Sequence, residues 1–211
     1  MRYALNLHVA SFGLATLLLA ASAGTLQAAP PARSTANPQL TMVIAKRGTI
    51  QIELFPTAAP KTVAHILALV KRHFYNGIRF HRVVPGFVAQ GGDPGTRKLT
   101  RQQVNDPAVV ASHNIGDGGS GTTVPLEATM PHTRGTLGLA RSNDPTSGDS
   151  QFFFNLVDNH RLDSQYCVFG KILKGLKVMD SIKQGDRIVS LTLTKQSKAT
   201  KPARKSTAHH K

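Results

Sequence analysis

Short runs of alternating apolar and polar residues, separated by turn residues, dominate the middle of the chain. Gln39 to Ala45 (QLTMVIA) and Thr49 to Leu54 (TIQIEL) flank Lys46-Arg47-Gly48, a pattern that predicts a β-hairpin. Further strands are expected at Arg79 to Val84, Phe87 to Gln90, Gly135 to Ala140, Gln151 to Leu156, Val168 to Leu173 and Ile188 to Thr194. A helical period appears after Thr57, a candidate cap, and Pro60, a candidate first residue; Val63, Ile66, Leu67 and Val70 share a face, and Asn76-Gly77 marks the end. A second, short helix is expected from Leu176 to Lys183, and Asp93 to Pro125 reads as one long loop. Strands at this spacing with two helices predict a closed or nearly closed antiparallel barrel.

The flanks have a different character. Residues 1–28 resemble a signal peptide: Arg2 is the positive start, Phe12 to Ala23 is apolar, and Leu26-Gln27-Ala28 offers small residues for cleavage. The apolar run falls short of the roughly 20 residues a bilayer needs, so no transmembrane anchor is expected after leader removal. Residues 29–38 (APPARSTANP) form a linker, residues 39–194 one domain, and residues 195–211 a basic tail predicted to be disordered. A periplasmic or secreted location follows.

Charge and cysteine content narrow the picture further. The chain carries a formal charge of +15, and loss of Arg2 with the leader leaves +14. The tail contributes to this excess, but no aromatics interleave with its charges, so it predicts at most a weak polyanion contact and no specific nucleic acid. Cys167 is the single cysteine, so no intrachain disulfide can form, and its apolar neighbours predict burial.

Several chemistries are excluded by missing residues. The chain has no CxxC, no HExxH and no Walker A lysine, and Ser120 does not sit in a GxSxG elbow. No cluster asks for a metal or an organic cofactor. What remains is a set of strand residues, Phe80, Arg82, Phe87, Gln90, Gln151, Phe153, Leu162 and Tyr166, in which apolar and neutral polar groups surround one permanent cation. Such a set has no general acid or base. Rotation of an X-Pro amide needs neither, because its barrier of about 18 to 20 kcal/mol is amide resonance. A cationic donor aimed at the proline nitrogen would favour the twisted state. From spacing alone, the favoured reading of Arg82 is a structural one, half of an ion pair or an outward-facing strand residue.

FHRVVPGFVAQGGDP (residues 80–94), GTLGLARSNDPTSGDSQFFFN (135–155) and RLDSQYCVFGKI (161–172) together resemble the cyclophilin family of peptidyl-prolyl isomerases, most nearly its exported bacterial branch. The similarity runs from about Thr41 to Thr194. It implies an eight-stranded antiparallel closed β-barrel capped by two α-helices, and an enzyme acting on X-Pro bonds of exported, folding proteins without a covalent intermediate or cofactor. By resemblance, Arg82 is the catalytic arginine and Gln90 the glutamine beside it. Phe87, Val88, Phe153 and Leu162 match the proline pocket, with Val88 in place of the usual methionine. Ala140, Arg141 and Gln151 match the groove that holds the peptide, and Tyr166 stands where relatives often carry histidine. Arg161 takes the position of a tryptophan tied to cyclosporin binding, which implies weak inhibition by that compound. His81 is assigned a structural role, and Phe80 and Phe152 a place in the core. Residues 97–111 look inserted, and shape the groove or form only surface loop. Expected partners are proline-containing peptides and unfolded exported proteins, bound by a monomer. An alternative is a chaperone module that binds proline segments with little turnover.

Overall fold

The computed structural model describes residues 37–194. The leader, most of the linker and the basic tail lie outside these residues. The hairpin expected first is present as β1 (Gln39–Ile44) and β2 (Gly48–Leu54), turning through Lys46 and Gly48, both at positive φ. Leu40, Met42 and Ile44 alternate inward from β1, and Ile50, Ile52 and Leu54 from β2. Helix α1 (Pro60–Lys71) buries Val63, Ile66, Leu69 and Val70 against the last strands of the sheet.

Thr57 does not cap this helix. Ala59 is the N-cap and offers no side-chain acceptor; the carboxylate of Glu127 instead receives the Lys61 and Thr62 N–H groups at 3.0 and 2.9 Å. An ionised acceptor at the positive end of a helix is favoured over a hydroxyl, and no local pattern could reveal one so far along the chain. The helix also stops earlier than expected, at Lys71, because His73 turns left-handed at φ 56°.

The remaining elements are β3 (Arg82–Val84), β4 (Val88–Gly91), α2 (Arg101–Val104), α3 (Pro107–Ser112), β5 (Thr136–Leu139), β6 (Phe152–Asn155), β7 (Cys167–Lys174), α4 (Leu176–Asp180) and β8 (Ile188–Leu193). The expected loop from Asp93 to Pro125 therefore holds a 3-10 turn (Pro94–Lys98) and two short helices. Each starts on a local device: Asp93 accepts from Gly95, Thr100 and Gln103 form a capping box, and Asp106 accepts from Ala108 ahead of Pro107 at the first position. They are too short to show a period. The inserted stretch packs away from the pocket, with Leu99 and Val104 carbonyls accepting from Arg79 and Gln184.

All eight strands join one antiparallel sheet, in the order β3-β4-β6-β5-β7-β2-β1-β8, which curls as a half-barrel. The closed barrel expected from the sequence is not formed: β3 and β8 are edges of the ladder. At one of these edges β3 is short and pairs over only three residues. Between the edges run an isolated bridge, Arg79 to Arg187, and backbone hydrogen bonds such as Phe80 N–H to Asp186 O at 2.9 Å. Asp186 also secures this seam with its side chain, accepting from Arg47 Nε at 2.7 Å and from the Lys183 N–H at 2.8 Å.

Phe80, Phe152 and Phe154 form an aromatic cluster in the core, with ring centroids 5.6 to 6.1 Å apart. Cys167 is buried at 1 % exposure, and burial pushes its thiol up to about 11. Among the described residues, no helix is long and apolar enough to cross a membrane, and no group of three His, Cys, Asp or Glu could hold a metal ion.

Candidate functional site

Successive residues of a strand face opposite sides of a sheet, and that period builds the site on the back of the core. In β6, Phe152 and Phe154 enter the core while Phe153 and Asn155 face the other way. In β4, Ala89 faces the core and Val88 and Gln90 the same side as Phe153. The strand registers then place Arg82 opposite Gln90, Gln90 opposite Phe153, and Phe153 opposite Gly138. One transverse row across β3, β4, β6 and β5 thus carries a guanidinium, an amide, a phenyl ring and a gap. The gap is required: a Cβ at Gly138 would overlap the far edge of the Phe153 ring.

A cavity of about 180 Å³ opens over this row. Its walls are Arg82, Phe87, Val88, Gln90, Ala140, Arg141, Phe153, Leu162 and Tyr166, so nine of the residues singled out in the sequence meet in one place. Gln151 lies beside it, in a larger groove of about 610 Å³ that shares Gln90, Ala140 and Arg141 and runs along Gly116 to Gly121.

Arg82 is exposed, the outward-facing placement that its spacing allowed. It lies in the edge strand β3 and lines the cavity. Its guanidinium sits 5.6 Å from the centre of the Phe87 ring, and Nη1 donates to Gln90 Oε1 over a long 3.4 Å. Gln90 Nε2 donates to Gln151 Oε1 at 3.0 Å, and Gln151 Nε2 to the Gly116 and Gly118 carbonyls at 2.7 and 2.8 Å. This relay fixes the direction of both amides. Its far end is anchored by buried Asp93, whose carboxylate accepts from the N–H groups of Gly95, Gly116 and Gly118. Gly118 permits the approach, since a Cβ there would overlap that carboxylate.

Arg141 has a different task. Its guanidinium donates to the Gln165, Ser142 and Asn143 carbonyls and lies 5.0 Å over Tyr166, so it pins a turn and a wall.

A buried network behind the pocket was not visible in the sequence. His132 stacks on Phe153 at 5.7 Å, its Nε2–H donates to the Tyr166 carbonyl at 3.1 Å, and its Nδ1 accepts from Asn155 Nδ2 at 3.1 Å. Asn159 joins Asn155 Oδ1 to the Phe87 carbonyl, tying the pocket floor to its rim. His132 lies 23 residues from Asn155 and belongs to no motif, so no spacing signal marks it. Burial holds its pKa below the usual histidine value despite the bond to Tyr166 and the nearby Asp163. His81 is also buried, with Nδ1 unpartnered among the described residues. Burial lowers its pKa, Asp93 opposes this, and Arg82 adds to it. The ring is placed as a neutral core group.

A family model described as cyclophilin type peptidyl-prolyl cis-trans isomerase/CLD matches residues 39–205. A probable peptidyl-prolyl cis-trans isomerase of Brucella suis is 38% identical over 198 residues, covering 87% of this chain and 95% of the relative. A peptidyl-prolyl cis-trans isomerase of Helicobacter pylori is 40% identical over 153 residues, covering 70% and 82%. The fold is similar to that of a Cryptosporidium parvum cyclophilin type peptidyl-prolyl cis-trans isomerase, crystallised in the presence of the dipeptide Ala-Pro: TM-score 0.60, 24% identity, 74% of this chain and 98% of that one.

The two buried histidines predict a pH response. Their folded pKa values lie below the unfolded value of about 6.5, so the unfolded state binds more protons in the window beneath it. Stability is then full above pH 6.5 and falls as the pH drops, by at most about 1.4 kcal/mol per pH unit for each histidine. Urea midpoints should decline from pH 7.5 to 5.5, and His81→Leu should flatten part of that slope. An identical slope in the variant would assign it to other groups.

Proposed function

This chain belongs to the cyclophilin-type family of peptidyl-prolyl cis-trans isomerases, and on that premise we propose that Arg82 turns X-Pro bonds by donating to the proline nitrogen. The observation that carries the reading is the transverse row: a guanidinium with free donors beside an apolar floor of suitable size, and no acid or base in the lining. In the planar amide the nitrogen lone pair is delocalised and a poor acceptor. Twisting by a quarter turn localises it, so a donor at that point binds the twisted state more strongly than either planar isomer. Such differential binding lowers the barrier.

Each neighbour has a share in this. Phe153, Phe87, Val88 and Leu162 would hold the prolyl ring and exclude water, which strengthens the charge–dipole contact. Gln90 would steer Arg82, and the groove along Ala140 and Gln151 would hold the rest of the peptide while the ring stays put. A guanidinium suits the task because it is a planar group with several N–H donors on one cation. The weak 3.4 Å contact to Gln90 leaves it donors to offer.

Loss of one such donor costs about 100- to 1000-fold in turnover. Arg82→Ala should therefore reduce kcat/KM for a short Ala-Pro peptide by that order, with the circular dichroism spectrum retained; undiminished exchange would remove Arg82 from the mechanism.

The substrates we propose are exported proteins during folding, at a periplasmic or secreted location. The leader pattern of residues 1–28 supports this. Expression of the full chain in a bacterial host should place a shortened product, starting at Ala29, outside the cytoplasm. A full-length cytoplasmic product would contradict export.

A further inference from the structure

At the rim of the pocket, two cations lie close to the Phe87 ring. The Arg161 guanidinium sits 4.2 Å from its ring centre and that of Arg82 5.6 Å. Neither has a carboxylate within ion-pair distance among the described residues. The nearby carboxylates are already engaged: Asp158 accepts from the Arg134 N–H, and Asp163 from the His132 N–H and from His160. All 11 acidic side chains of the protein fall between residues 53 and 186, so no acidic side chain elsewhere in the chain can meet them. Arg141, the third guanidinium of the pocket, is committed to three backbone carbonyls.

We propose that Arg161 is a specificity-determining residue that favours substrates with a carboxylate side chain next to the proline. This rests on reading the cavity as the prolyl site. The polar groove leaves the cavity along Gln90 and Ala140, whereas Phe87 and Leu162 bring Arg161 to another part of its rim. A peptide seated in both therefore carries one flank of its proline over the Phe87–Arg161 edge. A carboxylate there meets two cations that hold no competing anion, and Arg161 is already oriented by its stack on the ring. A lysine at the same place meets like charge.

The test uses amidated, N-acetylated peptides, so that no chain terminus supplies a charge, with Glu, Gln or Lys either immediately before or immediately after the proline. Exchange is followed by NMR. For one of the two placements, kcat/KM should rank Glu above Gln above Lys, with a Glu-to-Gln ratio of about two to five, the range of exposed ion pairs. The ratio should fall by about half or more in Arg161→Gln, recover in Arg161→Lys, and shrink at about 1 M salt, where screening acts within about 3 Å. An equal ratio in wild type and Arg161→Gln for both placements overturns the inference. Turnover of the Gln peptides without charge preference overturns it alone; no turnover of any peptide overturns the pocket reading as well.

Discussion

The register of β6 against its two neighbours is the constraint on which both core and site depend. Four residues, Phe152 to Asn155, supply two opposite faces: one closes the aromatic core with Phe80, the other forms the pocket floor. A slip of one residue would exchange the faces. It would bring Phe153 and the polar Asn155 inward and leave Phe152 and Phe154 outside. Burial of each phenylalanine is worth about 1.5 to 3 kcal/mol, so the core alone makes that slip costly. The geometry of the pocket row is thus held by interactions of the core: once Phe152 and Phe154 are seated, Gln90 and Arg82 fall into line across β4 and β3.

A second layer of order is polar. The amides of Gln90 and Gln151 form a one-way relay from Arg82 to the glycine loop, and Asp93 anchors that loop through two of its backbone donors, Gly116 and Gly118, while a third bond, from Gly95, holds the carboxylate in its own turn. Behind the floor, His132, Asn155 and Asn159 do the same for Phe153, Tyr166 and Phe87. Satisfied networks of this kind specify a single arrangement. Hydrogen bonds therefore specify the floor and walls of the pocket, while its cation is exposed and only lightly tethered.

The strands and α1 were legible because alternation and helical period are local. Helix α1 begins at Pro60 as expected, but the group that caps it, Glu127, is distant in sequence and left no local signal. The two short helices between Thr100 and Ser112 left cap signals, TRQQ and DP, without any period to confirm them. Nine pocket residues were visible through their motifs. The histidine–asparagine network was not, since its members are far apart in sequence and share no chemistry beyond burial. Nor was the open seam: alternation says which face of a strand is buried, but not whether the last strand reaches the first.

Gly138 offers the most direct test, because it lies in the row but touches no substrate in the proposed arrangement. A methyl group there must displace the Phe153 ring, and a misplacement of about 1 Å at a positioning group can cost about 100-fold. Exchange in an Ala-Pro peptide should fall by ten- to hundredfold in Gly138→Ala, with a displaced Phe153 ring resonance and an otherwise native spectrum. Wild-type exchange from a variant whose Phe153 has moved would contradict the claim that this row builds the site.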